Sequence, residues 1–126
     1  MILKSSLQSN YTLTTAWGQT GLKLIIPEDG YYCVNFTATT NAAAGGSHYL
    51  KLAVDGALIN NSGSMRNFAG YVSLCASNIL YLRKSQVVEV YAAYDGSATG
   101  EVQASAETRA TYIEAINLTK LARGGM

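Results

Sequence analysis

The chain has 126 residues, 48% of them hydrophobic and 13% charged, with a formal net charge of +1 and no basic block. That suits one domain around a single core and excludes the electrostatic footprint of a nucleic-acid or anionic-membrane binder. No apolar run approaches the roughly 18 to 20 residues of a membrane span, and MILKSSLQSN lacks the apolar middle of a secretory signal, so partners are expected to be proteins or neutral ligands.

Residues 1–10 read as an N-terminal arm that carries Ile2, Leu3 and Leu7 outside the main domain. YTLTTA and LKLII are the first two strand signals, and Pro27, the only proline, fits at a strand end because it cannot donate a ladder hydrogen bond. YYCVNFTAT sends Tyr32, Val34, Phe36 and Ala38 to one side, and HYLKLAV does the same with Leu50, Leu52 and Val54. YVSLCASNILYL, QVVEVYAAY and ATYIEAINL repeat the period of two, and no segment carries a helical stripe. All three aspartates, Asp29, Asp55 and Asp95, precede glycine, which predicts tight turns at each. NAAAGGS at 41–47 and NNSGSMRNFAG at 60–70 read as longer loops. The pattern predicts an all-β, single-domain antiparallel β-sandwich of about eight strands over residues 11–120, followed by a tail over 121–126.

Catalytic chemistry lacks its parts. There is one histidine, His48, and no Gly-x-Ser-x-Gly, Walker or His-Glu-x-x-His pattern, so no enzyme activity, metal or cofactor is expected. His48 reads as a strand-end polar residue, with a ligand contact or titrating switch as the alternative. The aspartates are accounted for by their turns rather than by a calcium loop. Cys33 and Cys75 lie inside alternating strands and read as buried, reduced thiols. Four Asn-x-Ser/Thr matches, at Asn10, Asn35, Asn60 and Asn117, carry little meaning without a secretory route.

Parity places Leu50, Leu52, Val54, Val88, Val90, Ala92, Ile113 and Ala115 toward the core. If those strands share one sheet, its opposite face carries Tyr49, Lys51, Glu89, Tyr91, Tyr112 and Glu114. Tyrosine supplies contact area with a polar handle, so this face is expected to be a subunit interface, with a glycan-binding platform as the alternative. Met65, Arg66 and Phe68 in the second long loop, and Ile2, Leu3 and Leu7 in the arm, are the candidate partner-binding residues.

PEDGYYCVNFTAT, LKLAVDGALI, LYLRKSQVVEVYAAYDG and TYIEAINL together resemble, in that order and over roughly residues 17–118, the landmarks of the TNF/C1q-like jelly roll. The match departs at Ser85-Gln86, where the family pattern has Gly-Asp. The resemblance implies a jelly roll whose sheet packs around a threefold axis, hence a homotrimer. The style, including YTLTTAWGQTG, also resembles small modules of bacteriophage virions.

Three functional classes follow. The first is a virion structural protein, a capsid decoration protein or head fibre that binds a phage capsid or other virion protein, favoured because the domain starts almost at Met1 with no coiled-coil or collagen-like stalk. The second is the receptor-binding tip of a tail fibre or spike, engaging a host-surface receptor or glycan. The third is a C1q-like or lectin-like recognition module outside any virus. A virion location is expected, with no nucleic acid bound and no membrane insertion.

Overall fold

The computed structural model describes residues 2–96, 99–106 and 110–124. Its strands are β1 (Ile2–Ser6), β2 (Tyr11–Thr12), β3 (Gly18–Ile25), β4 (Gly30–Ala42), β5 (Ser47–Val54), β6 (Ala57–Leu58), β7 (Ser64–Asn67), β8 (Gly70–Leu82), β9 (Val87–Tyr94), β10 (Gly100–Val102) and β11 (Tyr112–Asn117). One turn of helix, α1 (Leu118–Ala122), follows β11.

Two antiparallel sheets face each other. In the first, β4 pairs with β8 along one edge, and with β11 and then β10 along the other; β1 extends the sheet beyond β11 and β2 beyond β10. In the second, β9 lies between β3 and β5, while β6 and β7 share the far edge of β5. Alternation drives this arrangement. Tyr32, Val34, Phe36 and Ala38 of β4 are buried against Leu50 and Leu52 of β5 and Val88 and Val90 of β9 in one continuous core. Each such side chain contributes about 1.5 to 3 kcal/mol of transfer free energy, scaled down for Ala38. The expected all-β jelly-roll sandwich is the observed architecture, with eight strands of four or more residues among the described residues.

The three aspartate–glycine pairs do two different jobs. Asp55 and Gly56 take φ values of 50° and 85° between the paired Val54 and Ala57, the two-residue hairpin that needs left-handed backbone at both positions. Asp29 instead accepts a hydrogen bond from the Lys84 amide at 2.8 Å, and Asp95 accepts from the Ser47 amide at 2.6 Å. Those two tie separate segments together rather than closing hairpins.

Three expectations are corrected. Residues 1–10 are not a free arm: Ile2–Ser6 pairs in register with β11, Leu7 is buried in the core, and Leu3 packs against it. The segment's own alternation, with Leu3 and Leu7 two pleat periods apart on the inward side, makes it a sheet strand. The second long loop contains β7, which pairs with β5 from Ser47↔Asn67 to Leu50↔Ser64. The expected C-terminal tail begins inside α1, whose N-cap is Asn117 with its side-chain oxygen accepting from the Lys120 amide at 2.8 Å. Residues 1, 125 and 126 of the expected arm and tail lie outside the described residues.

Candidate functional site

The sandwich presents two outer faces, and the six residues expected to form one interface are divided between them. Tyr49, Lys51, Glu89 and Tyr91 belong to β5 and β9 of the second sheet, whereas Tyr112 and Glu114 belong to β11 of the first. Core parity is right for each strand, but parity alone does not say which strands share a sheet. Glu89 is buried: its carboxylate accepts from the Gly21 amide at 2.9 Å and closes the bulge between Gln19 and Lys23. Glu114 accepts from the Asn35 side chain at 3.2 Å, and Tyr112 lies under the Lys4 ammonium, 4.3 Å from the ring centroid.

On the first sheet, register builds an apolar row across four strands. Ile2 pairs with Ile116, Ile116 with Cys33, and Cys33 with Ile79. Beside it Tyr31 and Tyr81 pair, while the next row, Lys4, Glu114, Asn35 and Ser77, is polar and internally hydrogen-bonded, Ser77 donating to Asn35 and Asn35 to Glu114. Ile79 is 68% exposed and Ile2 56% exposed. Exposed apolar surface of this kind makes the row a candidate contact surface. Ile2 is thus the one member of the three candidate arm residues left for a partner.

The cysteines lie on this same face. Cys75 is exposed and Cys33 half-buried, and both are free thiols, so the expectation of burial is corrected. Cys75 pairs with Thr37, four residues along β4 from Cys33, a separation of about 13 Å at strand rise. A bridge within one chain would require Cα atoms within about 7 Å.

On the second sheet an open cleft of about 590 Å³ is lined by Trp17, Tyr49 and Lys51 together with Asn60, Asn61 and Met65, the last being the cross-strand partner of Tyr49. Trp17 precedes β3, yet its ring meets Tyr49 on β5 edge to face, centroids 6.1 Å apart at 65°. It reaches across β9, where the register partner of Tyr49 is the small Ala93. The Tyr49 hydroxyl donates to Asp95 at 3.0 Å, fixing the ring, and the Lys51 ammonium lies 5.5 Å from the indole centroid. The loop that carries Asn60 and Asn61 is equally held. Ser62 is fully buried, donates to the Ile59 carbonyl at 2.6 Å and accepts from the Leu52 amide at 3.0 Å. Gly63 approaches β5 so closely that a Cβ there would lie 2.1 Å from the Leu50 carbonyl oxygen.

Of the loop candidates, Met65 lines this cleft opposite Tyr49, while Arg66, one residue on in β7, projects to the other side. Phe68 keeps an exposed ring, and its backbone carbonyl is engaged inward by His48. Met65, Arg66 and Phe68 therefore do not form one patch. His48 is fully buried. Because a carbonyl only accepts, Nε2 carries the proton donated to Phe68 at 3.0 Å, and Nδ1 accepts from the Thr40 hydroxyl at 2.6 Å. With Tyr94 edge-on at 5.2 Å, the histidine is a satisfied core residue. Among the described residues no group of three His, Cys, Asp or Glu side chains is arranged to hold a metal ion.

The cleft was only half visible in the sequence: Tyr49, Lys51 and Met65 were candidates, but Trp17 and the Asn60-Asn61 pair were not. A lone tryptophan just ahead of a strand and two adjacent amides in a loop were the available signals.

No family model matches the chain, and no curated protein does. Among solved structures the chain is similar to one titled Structure of Eiger TNF from S. frugiperda, at 9% identity and a TM-score of 0.57, over 93% of this chain and 85% of that one. At that identity the likeness is one of fold, and the fold is a TNF-like jelly roll.

Proposed function

We propose that this chain is a non-enzymatic structural module of a bacteriophage virion, a homotrimeric capsid decoration protein or head fibre that binds the particle surface. The apolar row of Ile2, Ile116, Cys33 and Ile79, flanked by Tyr31 and Tyr81, carries this reading. A small sandwich with such a row on one outer face gains core-like burial by packing it against copies of itself, and closed symmetry limits the assembly to a finite ring. The TNF-like fold supports three as the number, and the likeness of YTLTTAWGQTG to phage virion modules supports the location. The single histidine, buried with both ring nitrogens engaged, supports a binding role over catalysis.

Light scattering on the purified chain at micromolar concentration tests the assembly: three chains are expected, and a strict monomer overturns it. Negative-stain microscopy of particles with and without the protein tests the virion location. A second reading, the host-attachment tip of a tail fibre or spike, is favoured by the Trp17–Tyr49 cleft, which faces away from the apolar row.

A further inference from the structure

We infer that the cleft on the second sheet binds an acidic saccharide, one pyranose ring stacked on Trp17 and its carboxylate met by Lys51. This deepens the host-attachment reading and rests on it only for the source of the sugar. Pyranose rings have an apolar face of C–H groups and a rim of hydroxyls, so they are recognised by aromatic surface beside convergent amides. The cleft is lined by both kinds of group, Trp17 and Tyr49 together with the amide-bearing Asn60 and Asn61. Among the described residues those two amides have no hydrogen-bond partner, while the backbone carrying them is pinned by Ser62. The loop backbone is therefore preorganised, with these two amides left for a ligand.

Charge selects the kind of sugar. Among the described residues Lys51 is the only ionisable cation lining the cleft, and no carboxylate lines it. The nearby Asp95 is committed to the Tyr49 hydroxyl and the Ser47 amide. Among the described residues Lys51 forms no salt bridge, its ammonium resting instead beside the indole. A ligand carboxylate draws that ammonium off the ring, exposing the indole face for stacking and replacing a weak cation–π contact with a charge-assisted hydrogen bond.

Trp17 is the only tryptophan in the chain, so its fluorescence reads the cleft directly in the unmodified protein. Titration with sialyllactose and oligogalacturonate is expected to shift Trp17 emission saturably, with lactose and maltotriose giving responses about tenfold weaker or more. Lys51→Met should erase the difference between acidic and neutral sugars, and Trp17→Ala, followed by calorimetry, should weaken binding by about tenfold or more. Arg83→Ala, which removes an exposed cation that does not line the cleft, should leave the titration unchanged. No saturable response to either acidic sugar overturns the inference, as does an equal response to neutral and acidic ones. Adsorption to host cells that survives Trp17→Ala while sugar titrations fail would leave host attachment standing and remove the cleft from it.

Discussion

Tyr31 and Tyr81 are register partners across the β4–β8 pair and meet edge to face, with ring centroids 5.1 Å apart at 70°. Both rings remain more than half exposed beside Ile79, on a face whose neighbouring row is polar and internally satisfied. If the chain assembles through this face as proposed, Ile79→Glu should leave only monomers by light scattering. Its effect on monomer stability should stay within about 0.5 kcal/mol, because the side chain packs against little in one chain. Tyr49→Ala and Tyr91→Ala, on the opposite sheet, should leave three chains associated. Dissociation by that pair and not by Ile79→Glu would place the interface on the second sheet.

The thiols report on the same face. Cys33 and Cys75 are both free, so intact mass under non-reducing conditions should show no loss of two hydrogens. In dilute monomer a thiol reagent should label Cys75 faster than the half-buried Cys33, and assembly should slow both. Replacing both with alanine should cost less than about 1 kcal/mol, below the range for truncating buried side chains. A larger loss would show that these thiols pack into the core after all.

The alternation that fixed the core also contained the cysteine correction. Tyr32, Val34 and Phe36 point inward, so Cys33 has to point outward with Tyr31 and Asn35; likewise Cys75 shares the parity of Ser73 and Ser77. Parity also placed Leu50, Leu52, Val88, Val90, Ile113 and Ala115 in the core, where they are. What parity cannot carry is strand order. Tyr49 and Tyr112 face outward from different sheets because β5 pairs with β9 while β11 pairs with β4, and those pairings depend on contacts far apart in sequence. The Trp17–Tyr49 contact was hidden for the same reason, as it spans a strand that comes later in the chain than both. The hairpin at Asp55-Gly56 was legible because its chemistry is local.

Ser85 stands where the related pattern has glycine, and its φ of 74° lies in the left-handed region. Its amide nevertheless donates to the Ile26 carbonyl at 2.7 Å, so the turn between β8 and β9 is held despite the strain. A non-glycine residue costs about 1 to 2 kcal/mol there, partly offset because glycine loses more backbone freedom on folding. Ser85→Gly should raise stability by about 0.5 to 1 kcal/mol in urea denaturation with an unchanged slope. A destabilised variant would mean that the Ser85 side chain contributes more than its backbone strain costs.

Tyr32 ties the β4 start to the β11 end from within the core. Its hydroxyl donates to the Glu28 carbonyl at 2.7 Å and accepts from the Asn117 side chain at 3.2 Å, and Asn117 in turn caps α1. Burial pushes the Tyr32 phenol above its ordinary value of 10.0, and the Glu28 carboxylate adds to the rise. The folded state thus holds this proton more tightly than the unfolded chain does. The resulting stabilisation is fully present below pH 10 and is lost as pH rises through the folded-state value, since there the unfolded chain has released a proton that the folded one retains. Tyr32→Phe removes that titration together with two hydrogen bonds. At neutral pH it should cost about 1 kcal/mol or slightly more, leaving the Glu28 carbonyl and one Asn117 donor to find other partners. Above pH 10 its stability should fall less steeply than that of the parent, so the two curves converge. Urea denaturation at several points between pH 8 and 11.5 measures both curves, and parallel curves across that window would show that the Tyr32 phenol titrates alike in the folded and unfolded chain.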